Sequence, residues 1–464
     1  MNKQIKRLFA VILTAFLLLL LSCGDTPDNP APEEKYPVLL SSVPAENAEV
    51  SPATEQIILV FDSKIVLIDK TQVRLNGQQV KQAKASNDSL YVQLDRLDAA
   101  TAYNLVIEKN TIKANPGGFN PEPFSLSFST GFLPPVTYAD LAVKNPSPEI
   151  QRLYNFLKTN YGQKIISGTV ANVSWNTNEA QWVYQHTGKY PALNCFDYIF
   201  LFASPANWID YSQTQVVEDW AAAGGIVSCM WHWNVPKRSG SADYSFYTTE
   251  TDFDINKALT EGTEENRIIK ADLDKVADYL ILLKNKNIPI LWRPLHEAKG
   301  NIGKYAGGEA WFWWGKGGAE AFKSLWQLMF KTFEAKGINN LIWVWTSESG
   351  DKDWYPGDGY VDIIGRDMYN LNSAAGMLAE YNNLKADYPN RLITLSECGN
   401  VTAIPDQWNA GAQWSWFMTW YDYERTVDPG SDAFKSEEHQ HGNADFWRKA
   451  FADEQVLSRD EISF

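Results

Sequence analysis

From residue 164 onward the chain carries eight short apolar runs, at 164–170, 192–200, 225–233, 288–297, 341–346, 361–369, 392–397 and 414–420. That recurrence constrains the fold more than any other feature. The runs are short for buried helices and lack the polar alternation of half-exposed strands, so they read as strands covered on both faces. Helical patterns lie between them, with Phe322, Leu325, Trp326, Met329 and Phe333 on one face of 319–336 and a second helix over 272–284. Eight parallel strands with crossovers, in roughly 330 residues, predict a closed (β/α)8 TIM barrel. An open doubly wound sheet is the alternative. It is disfavoured because no glycine-rich phosphate loop follows the first run.

The fourth run ends in Trp292-Arg293-Pro294-Leu295-His296-Glu297, and the seventh in Leu395-Ser396-Glu397-Cys398-Gly399. Ionisable groups at the end of a buried strand are costly unless they are paired or open into a pocket. In a closed parallel barrel, ligands collect at the carboxyl ends of the strands. Glu297 and Glu397 would then project from one rim towards the axis. Two carboxyls facing each other across a pocket suit glycosidic cleavage, one protonating the leaving oxygen and the other attacking or stabilising the cation-like sugar. Burial against Trp rings and a neighbouring carboxylate would keep one protonated, while a cation would keep the other ionised. Arg293 shares strand parity with Glu297 and is expected below the pocket, paired with Glu397 or with another barrel acid.

Upstream, residues 1–22 read as a signal peptide, with Lys3, Lys6 and Arg7 ahead of an apolar stretch. The ending Leu20-Leu21-Ser22-Cys23-Gly24 resembles a bacterial lipobox, which implies lipidation of Cys23. The acidic tether at 23–37 suggests an outer-membrane lipoprotein, facing the cell surface or the periplasm. Residues 38–132 show short alternating runs with turn signals such as Asn76-Gly77, predicting a small all-β sandwich. Its Ser42-Val43-Pro44 opening and Phe128-Ser129-Thr130 last strand resemble a bacterial immunoglobulin-like domain. Pro134-Pro135 marks the linker, and the barrel domain takes 133–464.

The formal net charge is −15, falling to −18 without the leader's three cations, which excludes nucleic acid as a partner. Nineteen tryptophans suggest ring stacking on sugar, with a Trp-rich core as the plainer alternative. Cys195, Cys229 and Cys398 lie in separate apolar runs and read as buried thiols. His439 and His441 form the one cluster resembling a metal site, and solvated loop histidines are the preferred reading; no metal or cofactor is expected.

The motifs Arg293-Pro294-Leu295-His296-Glu297, Trp311-Phe312-Trp313-Trp314-Gly315 and Leu395-Ser396-Glu397 resemble those of glycoside hydrolase family 26, over residues 165–421. The resemblance implies a retaining mechanism with Glu297 as acid/base and Glu397 as nucleophile. It places His232, His296, Trp311 and Trp420 around the substrate and Tyr369 against the nucleophile, with Trp414 and Trp416 competing for the role of Trp420; Tyr369 and Arg293 are counted with them as substrate-binding residues. It implies a monomeric endo-β-1,4-mannanase acting on mannan, galactomannan or glucomannan. A β-glucanase, a β-1,3-xylanase, an exo-acting mannobiohydrolase and a non-catalytic glycan-binding protein stay open. Residues 298–308 form a longer loop than the family pattern leads one to expect, which could narrow one end of the cleft.

Overall fold

The computed structural model describes residues 35–131 except 53 and 96, and residues 137–464 except 173, 174 and 305–307. The expected leader, the lipidated Cys23 and most of the tether lie outside the described residues. Among the described residues, no helix is long and apolar enough to cross a membrane. The chain divides into two compact units at residues 135 and 136.

The first unit is all-β. One sheet orders Leu39–Val43, Gln56–Phe61, Ser89–Gln93 and Gln82–Ser86. The other orders Ala48–Val50, Phe124–Thr130, Ala102–Ile107, Val73–Leu75 and Gln78–Gln79. Alternate residues of these strands, among them Ile57, Leu59, Leu90, Val92, Leu105 and Leu126, meet in a single apolar core, as a two-sheet sandwich requires. Asn76 and Gly77 both take left-handed backbone, so two residues suffice to turn Leu75 back onto Gln78.

The second unit is a closed barrel of eight parallel strands: β1 Ile165–Val170, β2 Leu193–Asp197, β3 Ile226–Trp231, β4 Ile290–Pro294, β5 Leu341–Thr346, β6 Ile363–Tyr369, β7 Leu392–Gly399 and β8 Trp416–Thr419. Neighbours in sequence are neighbours in space, and β1 pairs with both β8 and β2 to close the ring. Every residue of β1 to β5 and of β7 and β8 is buried, because barrel interior and helical coat cover opposite faces. The coat is built from local signals. Ser147 caps Pro148–Asn160, Thr263 caps Glu264–Asn285 and Asn443 caps Ala444–Ala452, each side chain accepting a first-turn N–H. Between β5 and β6 the described residues form only the short 3-10 turns Lys352–Trp354 and Asp358–Tyr360. Gly350, Pro356, Gly357 and Gly359 leave that segment without helix propensity, so one crossover lacks its helix.

The tryptophans chiefly serve this packing. Eleven of the nineteen are fully buried, including Trp292, Trp343, Trp345 and Trp414. Sugar stacking therefore does not explain the excess. Cys195, Cys229 and Cys398 are buried free thiols, and burial pushes Cys195 up to about 12, leaving it inert.

Candidate active site

Glu297 follows β4 and Glu397 lies near the end of β7, and the barrel brings them to one rim. One carboxylate oxygen each from Glu297, Asp367 and Glu397 lies within 4.8 Å of the others. The turn after Pro294 holds Leu295 and Glu297 at φ of 51° and 50°. Left-handed backbone at a non-glycine residue costs about 1–3 kcal/mol, a cost typical of functional sites. Glu397 is aimed by a bulge instead. Strand pairing runs Arg366 with Leu395 and then Asp367 with Glu397, so Ser396 is the extra residue. Gly365 makes room for it, since a β-carbon there would meet Ser396 Oγ at 2.3 Å. Ser396 Oγ then donates to Asp367 Oδ1 at 2.8 Å.

Arg293 lies on β4 beneath these acids, 1% exposed. Its Nη2 donates to Glu397 Oε2 at 2.9 Å and contacts Asp367, while Nε donates to Thr346 Oγ1 at 3.1 Å. Arg293 is expected both as the partner of Glu397 and among the substrate-binding residues. Its guanidinium is committed to the acids, so it bears on a substrate through them. Tyr369 Oη donates to Glu397 Oε1 at 2.5 Å. Both oxygens of Glu397 thus receive a donor, and each keeps a lone pair. Burial and the Glu397 charge hold the Tyr369 phenol well above its usual range, so it stays a donor.

Glu297 has the opposite surroundings. No hydrogen bond reaches its carboxyl among the described residues. Burial first, then the charges of Asp367, Glu397 and Glu348, push its pKa well above the carboxylate range, with Arg293 pulling weakly the other way. Three acids face one guanidinium. Burial also pushes Asp367 up, to about 8, although Arg293 and the Ser396 hydroxyl pull it back, whereas Glu297 has no hydrogen bond to hold its charge and retains a proton.

Two histidines line the adjoining wall. His232 Nδ1 lies 2.6 Å from Asp197 Oδ2, and its N–H donates to Asp197 Oδ1. The carboxylate fixes the proton on Nδ1 and leaves Nε2 as the acceptor. His296 packs against His232 with ring centroids 4.6 Å apart. Burial and Arg293 drive the His296 pKa well below 6.5, so the ring is neutral, and its buried Nδ1 has no hydrogen-bond partner among the described residues. Trp420 stacks on Tyr421 at 4.8 Å and meets His232 at 5.8 Å. Trp414 and Trp416 are buried, which leaves Trp420 as the tryptophan of β8's end beside the site. Trp311 is 38% exposed and lies against Gly300, where a β-carbon would meet its ring at 2.6 Å. The loop that carries Gly300 is tied sideways: Lys304 pairs with Glu348 at 2.9 Å, and Lys299 reaches the carbonyl of Gly350.

Asp367, Asp197 and Tyr421 escaped the sequence reading. Asp367 and Asp197 end β6 and β2, so the strand-end rule that found the glutamates could have found them. His439 and His441 are not a convergent pair. His439 Nδ1 accepts the N–H groups of His441 and Gly442, and Nε2 lies 2.5 Å from Glu179, which uses both nitrogens.

Residues 143–439 match the model of glycosyl hydrolase family 26, and residues 33–130 match that of a bacterial Ig-like domain. A mannan endo-1,4-beta-mannosidase of Thermothelomyces thermophilus is 37% identical over 295 residues, 61% of this chain and 57% of that protein. Among solved structures, the family 26 domain of an endo-beta-mannanase/endo-beta-glucanase from Prevotella bryantii is 40% identical, with a TM-score of 0.63. It covers 69% of this chain and 98% of its own. A beta-mannanase from a symbiotic protist of the termite Reticulitermes speratus, complexed with gluco-manno-oligosaccharide, is 33% identical with a TM-score of 0.58, covering 70% and 98%. The chain spans little more than half the length of the first curated relatives it matches. With its eight-stranded barrel and paired glutamates, the chain belongs to glycosyl hydrolase family 26.

Proposed function

We propose that the chain is a retaining endo-β-1,4-mannanase acting on mannan, galactomannan or glucomannan. The observation that carries the reaction is the approach of the Glu297 and Glu397 oxygens to within 4.8 Å. Retaining enzymes hold their carboxyls about 5–5.5 Å apart, and inverting ones leave room for a water, at about 6.5–9.5 Å. The mannan assignment is supported by the names of the relatives, among them two mannan endo-1,4-beta-mannosidases at 37% and 33% identity.

Each group has a task set by its surroundings. Glu297 gives its proton to the glycosidic oxygen as the bond breaks. Glu397 attacks the anomeric carbon from the opposite side and forms a glycosyl-enzyme. Glu297, now ionised, takes a proton from water, which displaces Glu397 with a second inversion and net retention. Arg293 and Tyr369 hold Glu397 in line. His232 Nε2 offers a partner to a sugar hydroxyl with the buried His296 ring packed behind it, while Trp420 and Trp311 supply faces for the sugar rings.

Reducing-sugar release from mannan by the wild type and by Glu397→Ala tests the reading. Release by the wild type alone supports it; equal release by both removes it. Products from mannan, β-glucan and xylan polymers, followed over time, separate the mannanase from its glucanase, xylanase and exo-acting alternatives.

The lipobox-like run ending at Cys23 supports a lipid anchor with residues 1–22 removed, and the acidic tether that follows supports an outer-membrane location. Cys23→Ser is expected to release the protein from the membrane fraction. A variant that stays in that fraction would contradict the anchor.

A further inference from the structure

The family match ends at residue 439, and the segment immediately after it reaches the nucleophile's neighbour. His441 packs edge-on against Tyr369, with ring centroids 5.6 Å apart and planes at 76°. Both rings crowd the backbone of Gly399, two residues past Glu397. A β-carbon at 399 would meet His441 Nδ1 at 2.5 Å and the Tyr369 ring at 2.8 Å. The missing side chain is therefore what lets the two rings close over β7.

The segment 439–442 is itself held from beneath by two buried acids. Glu179 and His439 are fully buried, with Oε1 and Nε2 2.5 Å apart. Because His439 Nδ1 accepts from the amides of His441 and Gly442, Nε2 must carry the proton and face the carboxylate. Glu179 Oε2 also accepts from Thr426 Oγ1 at 2.7 Å, and Asp422 Oδ2 accepts from the N–H of Gln440 at 2.8 Å. The carbonyl of His441 accepts from the N–H of Asn400, which joins the segment to the residue following β7. A rigid path thus runs from Glu179 through His439 and His441 to Tyr369, whose hydroxyl ends on Glu397.

Building on the reading of Glu397 as the nucleophile, we propose that His441 is a positioning residue that fixes the Tyr369 hydroxyl on Glu397, with Gly399 providing the space and the Glu179–His439 pair the anchor. His441 acts through the Tyr369 ring and not as a proton carrier. Burial and His439 lower its pKa to about 4, so it is neutral where the enzyme works.

Four variants test this: His441→Ala, His441→Phe, Tyr369→Phe and the double variant Tyr369→Phe/His441→Ala. On mannan, His441→Ala is expected to lower kcat about tenfold with KM within about twofold. The double variant is expected to be no slower than Tyr369→Phe alone, because His441 has nothing left to position. His441→Phe, which keeps a neutral ring edge, is expected to recover most of the rate. Gly399→Ala, which pushes the rings apart from the strand side, is expected to repeat the His441→Ala loss and serves if that variant unfolds. Crystal structures of the variants read the Tyr369–Glu397 contact without any substrate, so an enzyme inactive on mannan would overturn the substrate assignment and leave this arm intact. Losses that multiply in the double variant, a wild-type rate in His441→Ala, or an unchanged Tyr369–Glu397 contact in its crystal structure would each overturn the proposal.

Discussion

The ends of β4 and β7 carry the same side chain and treat it in opposite ways. Glu297 sits on strained left-handed backbone, receives no hydrogen bond among the described residues, and is surrounded by acids that keep it protonated. Glu397 sits on a strand aimed by one bulge and receives Arg293 on one oxygen and Tyr369 on the other. The difference teaches that the division of labour belongs to the surroundings and not to the residue type. It also explains why β4 carries both an acid and the cation. Arg293 points beneath the rim towards the far carboxylate, and Glu297 rises past it without pairing.

The sharpest way to break this contrast is to remove each acid in turn. Glu397→Ala is expected to lower kcat by at least about 10³-fold on any substrate, since it removes the proposed nucleophile. Glu297→Ala is expected to lose about 10²–10⁴-fold on mannan and far less on an aryl glycoside with a good leaving group, whose departure needs no proton. Equal losses for both variants on both substrates would erase the distinction. Next in size is the cation. Arg293→Met leaves Asp367 and Glu397 buried without it, and chemical denaturation at neutral pH is expected to show a loss of about 3–5 kcal/mol. That deficit should shrink as pH falls and the carboxylates protonate, and a deficit constant with pH would contradict the pairing. The smallest effects are on pH. The proposed acid role requires a protonated Glu297, and its pKa is raised, so kcat/KM should fall only as pH climbs through that raised value. Asp367→Asn removes a negative charge beside Glu297 and should move this alkaline limb to lower pH. Glu348→Gln should move it the same way by less, as the weakest of the three acidic neighbours.

Much of this was legible in the sequence because strand-length apolar runs ending in ionisable residues have few uses. The run lengths predicted the eight strands, and strand parity placed Arg293 below the pocket. Other features depend on pairing that one strand does not reveal. Asp367 meets Glu397 only because Ser396 bulges, and nothing in Asp367-Met368-Tyr369 alone announces that register. The sequence alone does not divide tryptophans such as Trp292, Trp343 and Trp345 between core and cleft, because in a barrel strand both faces are covered and alternation carries no polarity. The crossover after β5 looked like any other gap between runs until its glycines and Pro356 were seen to leave only 3-10 turns. His441 read as a solvated loop histidine because the Glu179–His439 pair that fixes it joins residues 260 positions apart.

The separation of the two carboxyls decides the stereochemistry, and the first-formed product reports it. Proton NMR of mannan hydrolysis, recorded before mutarotation, is expected to show the β-anomer appearing first and the α-anomer growing in later. An α-anomer appearing first would mean a single displacement by water and would contradict a nucleophilic Glu397.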